Sequence, residues 1–529
     1  MTTAQRPKKA EHGKTAAHPK TAERPEIPGL LTGVPGFDSV LGGSLPEFSF
    51  NLLAGGPGSG KTTLAHQIMF ANATPKRPAL YFTVLGEPTI KMLRYQRQFS
   101  FFDPKMAGSA VQFVNLTEEV TEGDLDAVLK TIIGEVERIK PGIVVVDSFR
   151  TIAGRVERAP GDRELNIDQF IQRLALHLTT WEVTSFLLGE YAEEEQRNPI
   201  FTVADGIVWL SQATDRNSVV RKLQVIKSRG RAPMPGLHTF RITDAGLQIF
   251  PRIPEQTRIR ATRKRERLST GVPGMDEMVG GGVIAGDAVM LTGPAGSGKS
   301  TIATQFIMAG IENGETGVIA VFEEYPEEYV ARAEARDSRV AKMVRAGKLE
   351  VIYLRPLDLS VDEALYSILD GVERLGAKRV VIDSLSGFEV ALAPTFRNEF
   401  RESLYRLVGT LTATGVTVFM TAEVVEGFND VQFTAEKVSF ITDEIFIQRY
   451  IEMEGELRRV MAVIKMRGSD HSHEIRTYEI TARGVVVGPA LKEYNGIITG
   501  MPVLRAKPGS AAAQVAPRTP KRATGKGRR

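Results

Sequence analysis

Gly55-Gly-Pro-Gly58-Ser59-Gly60-Lys61-Thr62 and Gly293-Pro-Ala-Gly296-Ser297-Gly298-Lys299-Ser300 both fit G-x-x-x-x-G-K-[ST]. That spacing makes a loop whose backbone N–H groups point at phosphate oxygens, with glycine supplying the angles that close approach to an anion demands. Lys61 and Lys299 are placed to neutralise the β and γ phosphates, and Thr62 and Ser300 to hold Mg²⁺ through their hydroxyls. Thr63 and Thr301 follow directly and belong to the same nucleotide-binding set.

The two motifs stand in register. Lys299 follows Lys61 by 238 positions, and the same step relates Thr32-Gly-Val-Pro-Gly36 to Thr270-Gly-Val-Pro-Gly274 and Lys227-Ser-Arg229-Gly to Lys465-Met-Arg467-Gly. A duplicated nucleotide-binding domain is the reading. With 529 residues, 42% of them hydrophobic, the chain can bury two sizeable cores. The expected partition is a first domain over 26–255, a second over 256–497, and tails at 1–25 and 498–529. The absence of cysteine excludes disulfides, thiol nucleophiles and cysteine-held zinc. Apolar runs such as Ile143 to Val146 are too short to span a bilayer and no hydrophobic signal segment is seen, so a soluble, cytoplasmic protein without membrane contact is expected.

The net charge of +4 is unevenly spread. Residues 1–24 hold six Lys or Arg against two Glu, and residues 501–529 hold eight Lys or Arg and no acid, so the body between them is acidic. Such tails cannot bury enough apolar surface to offset ordering and are expected to be disordered. They suit nucleic acid, an acidic partner or a membrane surface, or they only solubilise the chain; any contact with nucleic acid would run through these tails alone.

What positions the motifs is a set of apolar runs alternating with helical patterns. Phe50–Ala54 runs into the first glycine loop, which opens a helix from Lys61, and further strands are expected at 79–85, 143–146 and 184–188. The second half repeats this at 288–292, 317–322, 379–382 and 416–421. Continuous Val/Ile/Leu runs indicate strands buried on both faces, hence an α/β fold with a mostly parallel sheet and helices on both sides. Asp147 and Asp383 end two of these strands. An Asp there is often an ordinary turn or cap; downstream of a P-loop in both halves it is the carboxylate that orients the metal's water shell.

These residues resemble the KaiC-like family of tandem RecA-like ATPases over about residues 26–497. The resemblance rests on both Thr-Gly-Val-Pro-Gly segments with Asp38 or Asp276, both P-loops, both Asp-Ser strand ends, Glu454-Gly-Glu456, and Val463-Ile-Lys465-Met-Arg467. It implies two RecA-like P-loop domains, ATP with Mg²⁺, and a homohexameric double ring whose sites are completed by the neighbour's basic residues, here Lys227, Arg229, Lys465 and Arg467. Surface charges capping a strand are the alternative for those four.

The family also places two glutamates after the strand that follows the P-loop helix, suited to position the nucleophile and accept its proton. The second half has Glu323 and Glu324; the first has Leu85 and Gly86, with only Glu87 nearby. The first domain is therefore expected to bind ATP but hydrolyse it weakly. Clock members of the family phosphorylate adjacent Ser and Thr residues. Here Ser439 keeps one hydroxyl, Phe440 removes the other, and Thr434 is a second candidate, so autophosphorylation is open against a structural serine. His471 and His473 are read as lying on one face of a strand without enough ligands for a metal. Three classes remain: a ring ATPase with Ser/Thr autokinase activity working through regulatory proteins, a DNA-directed RecA-like motor, and an ATP-assembled scaffold.

Overall fold

The expected order of strands and helices is present twice in the computed structural model, which describes residues 27–84, 89–122, 125–148, 164–191, 200–215, 218–252, 266–354, 359–392, 394–397, 400–424, 441–497 and 503–504. The chain divides into two units. Residues up to Ile249, without Gln212–Arg221, form the first, and the remainder forms the second.

Each unit holds a nine-stranded sheet with the same strand order. In the first it runs Gly246–Phe250, His238–Thr243, Ser218–Ser228, Gly206–Asp215, Phe50–Gly55, Thr184–Gly189, Ile143–Asp147, Ala79–Thr83, Val111–Asn115. The second gives the matching order: Gly484–Ala490, Arg476–Thr481, Glu456–Met466, Glu444–Met453, Ala288–Gly293, Thr417–Glu423, Arg379–Asp383, Gly317–Val321, Leu349–Tyr353. In the second sheet the six strands from Glu444–Met453 to Leu349–Tyr353 are parallel, and the hairpin strands beyond are antiparallel.

Burial on both faces is visible residue by residue. Leu80 and Phe82 join one hydrophobic cluster while Ala79 and Tyr81, on the same strand, join another. Val380 and Ile382 are likewise separated from Val381. This is what a central parallel strand demands, because successive side chains point to opposite layers. The covering helices show the complementary pattern. Leu125–Ile139 buries Val128, Leu129, Ile132 and Val136, one stripe at helical spacing. Val361–Leu375 is capped by Ser360, whose hydroxyl accepts the Glu363 N–H at 3.1 Å, and stops at Gly376, φ 61°.

The fold thus places each P-loop strand in the middle of its sheet, between the strand after Asp147 or Asp383 and the first hairpin strand. Among the described residues no helix is long and apolar enough to cross a membrane. Trp209 is buried and Trp181 packs partly against the core. His471 and His473 meet edge to face at 4.9 Å but lie in an irregular segment between strands, not on one. The antiparallel neighbour there begins only at Arg476.

Candidate nucleotide sites

Both glycine loops leave a fully buried strand and enter a helix, Lys61–Asn72 or Lys299–Glu312. Gly58 and Gly60 have φ of 69° and 99°, and Gly296 and Gly298 have 72° and 93°, a region closed to most side chains. A Cβ on Gly55 would lie 1.9 Å from the Leu210 carbonyl oxygen. Glycine is therefore required by packing as well as by phosphate approach.

The lysines fold back over their own loops. Lys61 Nζ donates to the carbonyls of Gly55 at 2.9 Å and Gly56 at 2.8 Å; Lys299 Nζ donates to Gly293 at 2.9 Å and Pro294 at 2.8 Å. Burial holds both ammonium groups below their usual range, and nearby carboxylates oppose the shift. Ser59 and Ser297 are buried, and the Ser297 hydroxyl donates to Gln448 at 2.9 Å, so this serine braces the loop. Thr63 and Thr301 sit half-buried in the first helical turn. A cleft beside Ser300 and Thr301 is lined also by Gln305, Arg332, Arg336 and Arg483.

The strand-end aspartates are held differently in the two units. Asp147 Oδ2 accepts the Thr62 hydroxyl at 3.0 Å and the Tyr81 hydroxyl at 2.5 Å. Burial raises the Asp147 carboxyl above its usual range, while these two bonds and Lys61 pull against the rise. Tyr81 stacks on His66, 4.6 Å between ring centres, and His66 Nδ1 bonds the Thr62 carbonyl at 2.9 Å. Burial pushes His66 down to about 4, so the imidazole is neutral at physiological pH. In the second unit Asp383 Oδ1 instead accepts the Thr421 hydroxyl at 2.5 Å. Thr304 stands where His66 does, on the Ser300 carbonyl at 2.8 Å. The hydroxyl and carboxylate oxygens of Thr62 with Asp147, and of Ser300 with Asp383, suit a hard cation such as Mg²⁺.

The acidic pair is split. Glu323 Oε1 accepts the hydroxyl of Ser384, next to Asp383, at 3.1 Å, and its charge acts on Lys299. Glu324 is paired with Arg332, which also lies over the Tyr329 ring at 4.9 Å. Leu85, Gly86 and Glu87, and with them Ser439 and Thr434, lie outside the described residues.

One carboxylate in each unit was not singled out by spacing. Glu423 pairs across the sheet with Gly293, and Glu190 follows Gly189, the partner of the residue before Gly55. Each acts on its P-loop lysine. Each is a Glu at the end of a buried apolar strand, but the two stand 233 positions apart and so fall outside the repeat step of 238.

The four basic residues sit at the far end. Lys227 Nζ donates to the carbonyls of Phe201 and Thr202, at 3.4 and 3.0 Å, and Lys465 Nζ to Thr442 at 2.6 Å. Burial lowers both lysines, the neighbouring arginine adding to the effect. Arg229 pairs with Asp205 at 2.9 Å and Arg467 with Asp443 at 3.5 Å. These aspartates bond the first residues of the P-loop strands, Phe50 and Ala288. A six-residue strand rises roughly 17 Å, so the basic pairs stand that far from their own glycine loops.

Twin P-loops, each leaving the centre of a doubly wound, mostly parallel sheet with an aspartate ending the strand two places away, define a tandem RecA-like nucleoside triphosphatase. The family model described as "ATPase: KaiC" matches twice, over residues 30–253 and 268–492, and the chain belongs to this KaiC ATPase family. It is similar to the circadian clock oscillator protein KaiC of Rippkaea orientalis, 27% identical over 481 residues, covering 89% of this chain and 91% of that one. The KaiC of Thermostichus vulcanus is 27% identical over 488 residues, covering 90% and 92%. The circadian clock oscillator protein KaiC 1 of Synechocystis is 27% identical over 496, covering 90% and 93%.

Proposed function

We propose that this chain is a ring-forming, Mg²⁺-dependent ATPase, a homohexamer of two-domain subunits, whose second domain carries the stronger catalysis and a Ser/Thr autokinase activity. Its domains span 26–255 and 256–497, and its output in signalling or circadian-type timing passes through regulatory proteins. The observation that carries this reading is Glu323, fixed by Ser384 beside Asp383 and within the field of Lys299. A carboxylate so placed orients a water, or a hydroxyl, against the terminal phosphate and accepts its proton, while Lys299 stabilises the spreading charge. Mg²⁺, held through Ser300 and Asp383, would supply the further positive charge phosphoryl transfer needs.

The placement of Lys227, Arg229, Lys465 and Arg467 favours a role in trans, since their own loops are out of reach. Glu190 beside Lys61 offers the first domain a carboxylate, in keeping with ATP binding and slow hydrolysis there.

Purified protein of ring size by light scattering, incubated with Mg²⁺ and γ-³²P ATP, tests the reading. Hydrolysis with label on Ser439 or Thr434 supports both activities. Hydrolysis without label removes the kinase and leaves the ATPase, and no turnover above an E323Q control overturns the reading.

A further inference from the structure

The same four-bond arrangement occurs at the base of both sheets. In the first unit Asp205 Oδ2 accepts the Phe50 N–H at 3.1 Å and Asp205 N–H returns to the Phe50 carbonyl at 2.7 Å. The other carboxylate oxygen, Oδ1, takes Arg229 Nη1 at 2.9 Å, and the Arg229 backbone N–H donates to the Asp205 carbonyl at 3.0 Å. In the second unit Asp443 bonds the Ala288 N–H at 3.1 Å and the Ala288 carbonyl at 2.8 Å, with Arg467 Nη1 at 3.5 Å and the Arg467 N–H at 3.0 Å. Asp443 is fully buried, whereas 62% of the Arg229 side chain and 44% of the Arg467 side chain are exposed.

We propose that Asp205 and Asp443 are positioning residues: each aims its arginine outward toward the nucleotide of an adjacent copy of the chain, and each fixes that aim to the P-loop strand of its own subunit. The proposal rests on the trans role given to these arginines above. Its physical basis is a division of labour within one carboxylate. One oxygen grips the first residue of a buried, six-residue strand whose last residue opens the phosphate loop; the other grips a guanidinium that remains accessible. A buried parallel strand moves as a unit, so the seating of phosphate at one end and the stance of the arginine at the other share a single rigid element. A flexible, fully solvated arginine would lose more side-chain entropy on reaching a neighbouring site, and pre-setting its direction reduces that loss. Replacing the carboxylate by an amide keeps an acceptor for the Ala288 N–H and removes the charge that holds Arg467.

Complementation in mixed rings tests this. K299A subunits lack a working second P-loop lysine but keep Asp443 and Arg467. D443N and R467A subunits keep the lysine. Each variant alone, at ring size and with a melting temperature near wild type, should turn over ATP at least about tenfold more slowly, D443N through kcat with KM changed less than about twofold. Co-expressed with K299A at equal levels, D443N should recover to about a quarter of the wild-type rate, the share of sites pairing an intact loop with an intact donor under random mixing around a heterologous ring. Recovery by both D443N and R467A supports the proposal. Recovery by R467A without recovery by D443N overturns the proposal and leaves the trans arginine standing. Recovery by neither removes the trans assignment, and the proposal with it. Should D443N fail to assemble, D443S, which retains a smaller acceptor for Ala288, takes its place in the same mixture.

Discussion

Tyr81 donates its hydroxyl to Asp147 Oδ2 at 2.5 Å, the oxygen that also receives Thr62, so one carboxylate oxygen of the first site is saturated by the protein itself. Ile319, which pairs with Val381 as Tyr81 pairs with Val145, has no hydroxyl to offer in the second unit. There Thr421 serves Asp383 from the opposite neighbouring strand. Two sites of common descent thus restrain the same aspartate from different sides.

Tyr81→Phe removes a hydrogen bond to a charged acceptor, a change of about 1.5–3 kcal/mol. The Asp147 carboxyl, already raised by burial, would rise further. The expected outcome is nucleotide affinity of the first site weakened about tenfold in the presence of Mg²⁺ and less in its absence, measured by fluorescent nucleotide binding in a K299A background. Equal weakening with and without the metal would count against this role.

Glu323 and Glu324 are adjacent in sequence and unlike in setting, so their substitutions should separate. E323Q is expected to lower ATP turnover about a hundredfold, the scale of losing a positioned general base. E324Q frees Arg332 from an ion pair at a partly exposed site and should cost less than about fivefold. Gly387→Ala offers a further check, because a Cβ there would lie 2.8 Å from Glu323 Oε1 and displace it. Steady-state turnover of the three variants decides the order.

Glu444 is fully buried, its Oε1 accepting the Ile284 N–H at 2.8 Å. Burial pushes its carboxyl up to about 8, the Ile284 bond and Arg267 opposing and Asp287 and Asp443 adding to the rise. In the unfolded chain a glutamate titrates near about 4.3. Between these values the folded protein binds the extra proton, so stability falls as pH rises through the window. E444Q should flatten that slope, melting above wild type at pH 8 and level with it near pH 4.5, with at most about 1.4 kcal/mol gained per pH unit. Parallel melting curves for the two proteins across this range would refute a protonated Glu444.

Among the described residues Arg379 is the largest fully buried side chain, its Nε on Glu315 at 2.5 Å and its Nη1 on the carbonyls of Ser269 and Phe306 at 2.7 and 2.8 Å. Removing it leaves Glu315 without that partner and takes a donor from each of the two carbonyls. Arg379→Ala is expected to cost about 3–5 kcal/mol, read as a lower denaturant midpoint of the second unit. A loss under 1 kcal/mol would show that the pair is not what holds this corner.

The glycine loops, the lysines and the strand-end aspartates were legible because each is a short local pattern, repeated at nearly one step. The parallel sheets were legible because strands buried on both faces read as unbroken apolar runs. The restraints around the metal-facing aspartates were not. Tyr81 and Thr421 look like ordinary strand residues until the sheet order sets their strands beside those of Asp147 and Asp383, and His66 like an ordinary helix residue until its ring meets Tyr81. Asp205 and Asp443 keep the step of 238, yet only the backbone pairing to Phe50 and Ala288 shows that they join an arginine to a P-loop strand. Glu190 and Glu423 were hidden by unequal connections between otherwise matching strands.

The place of the P-loop strand in mid-sheet also governs the order in which a nascent chain can become competent. Ala288 must wait for Asp443, 155 residues downstream, before its backbone finds a partner, and Phe50 must likewise wait for Asp205. Such distant closures are slow, and a domain generally folds only once it has left the ribosome. The first half can thus be complete while the second is still being translated, so each polypeptide gains its two phosphate cradles at separate moments of its synthesis.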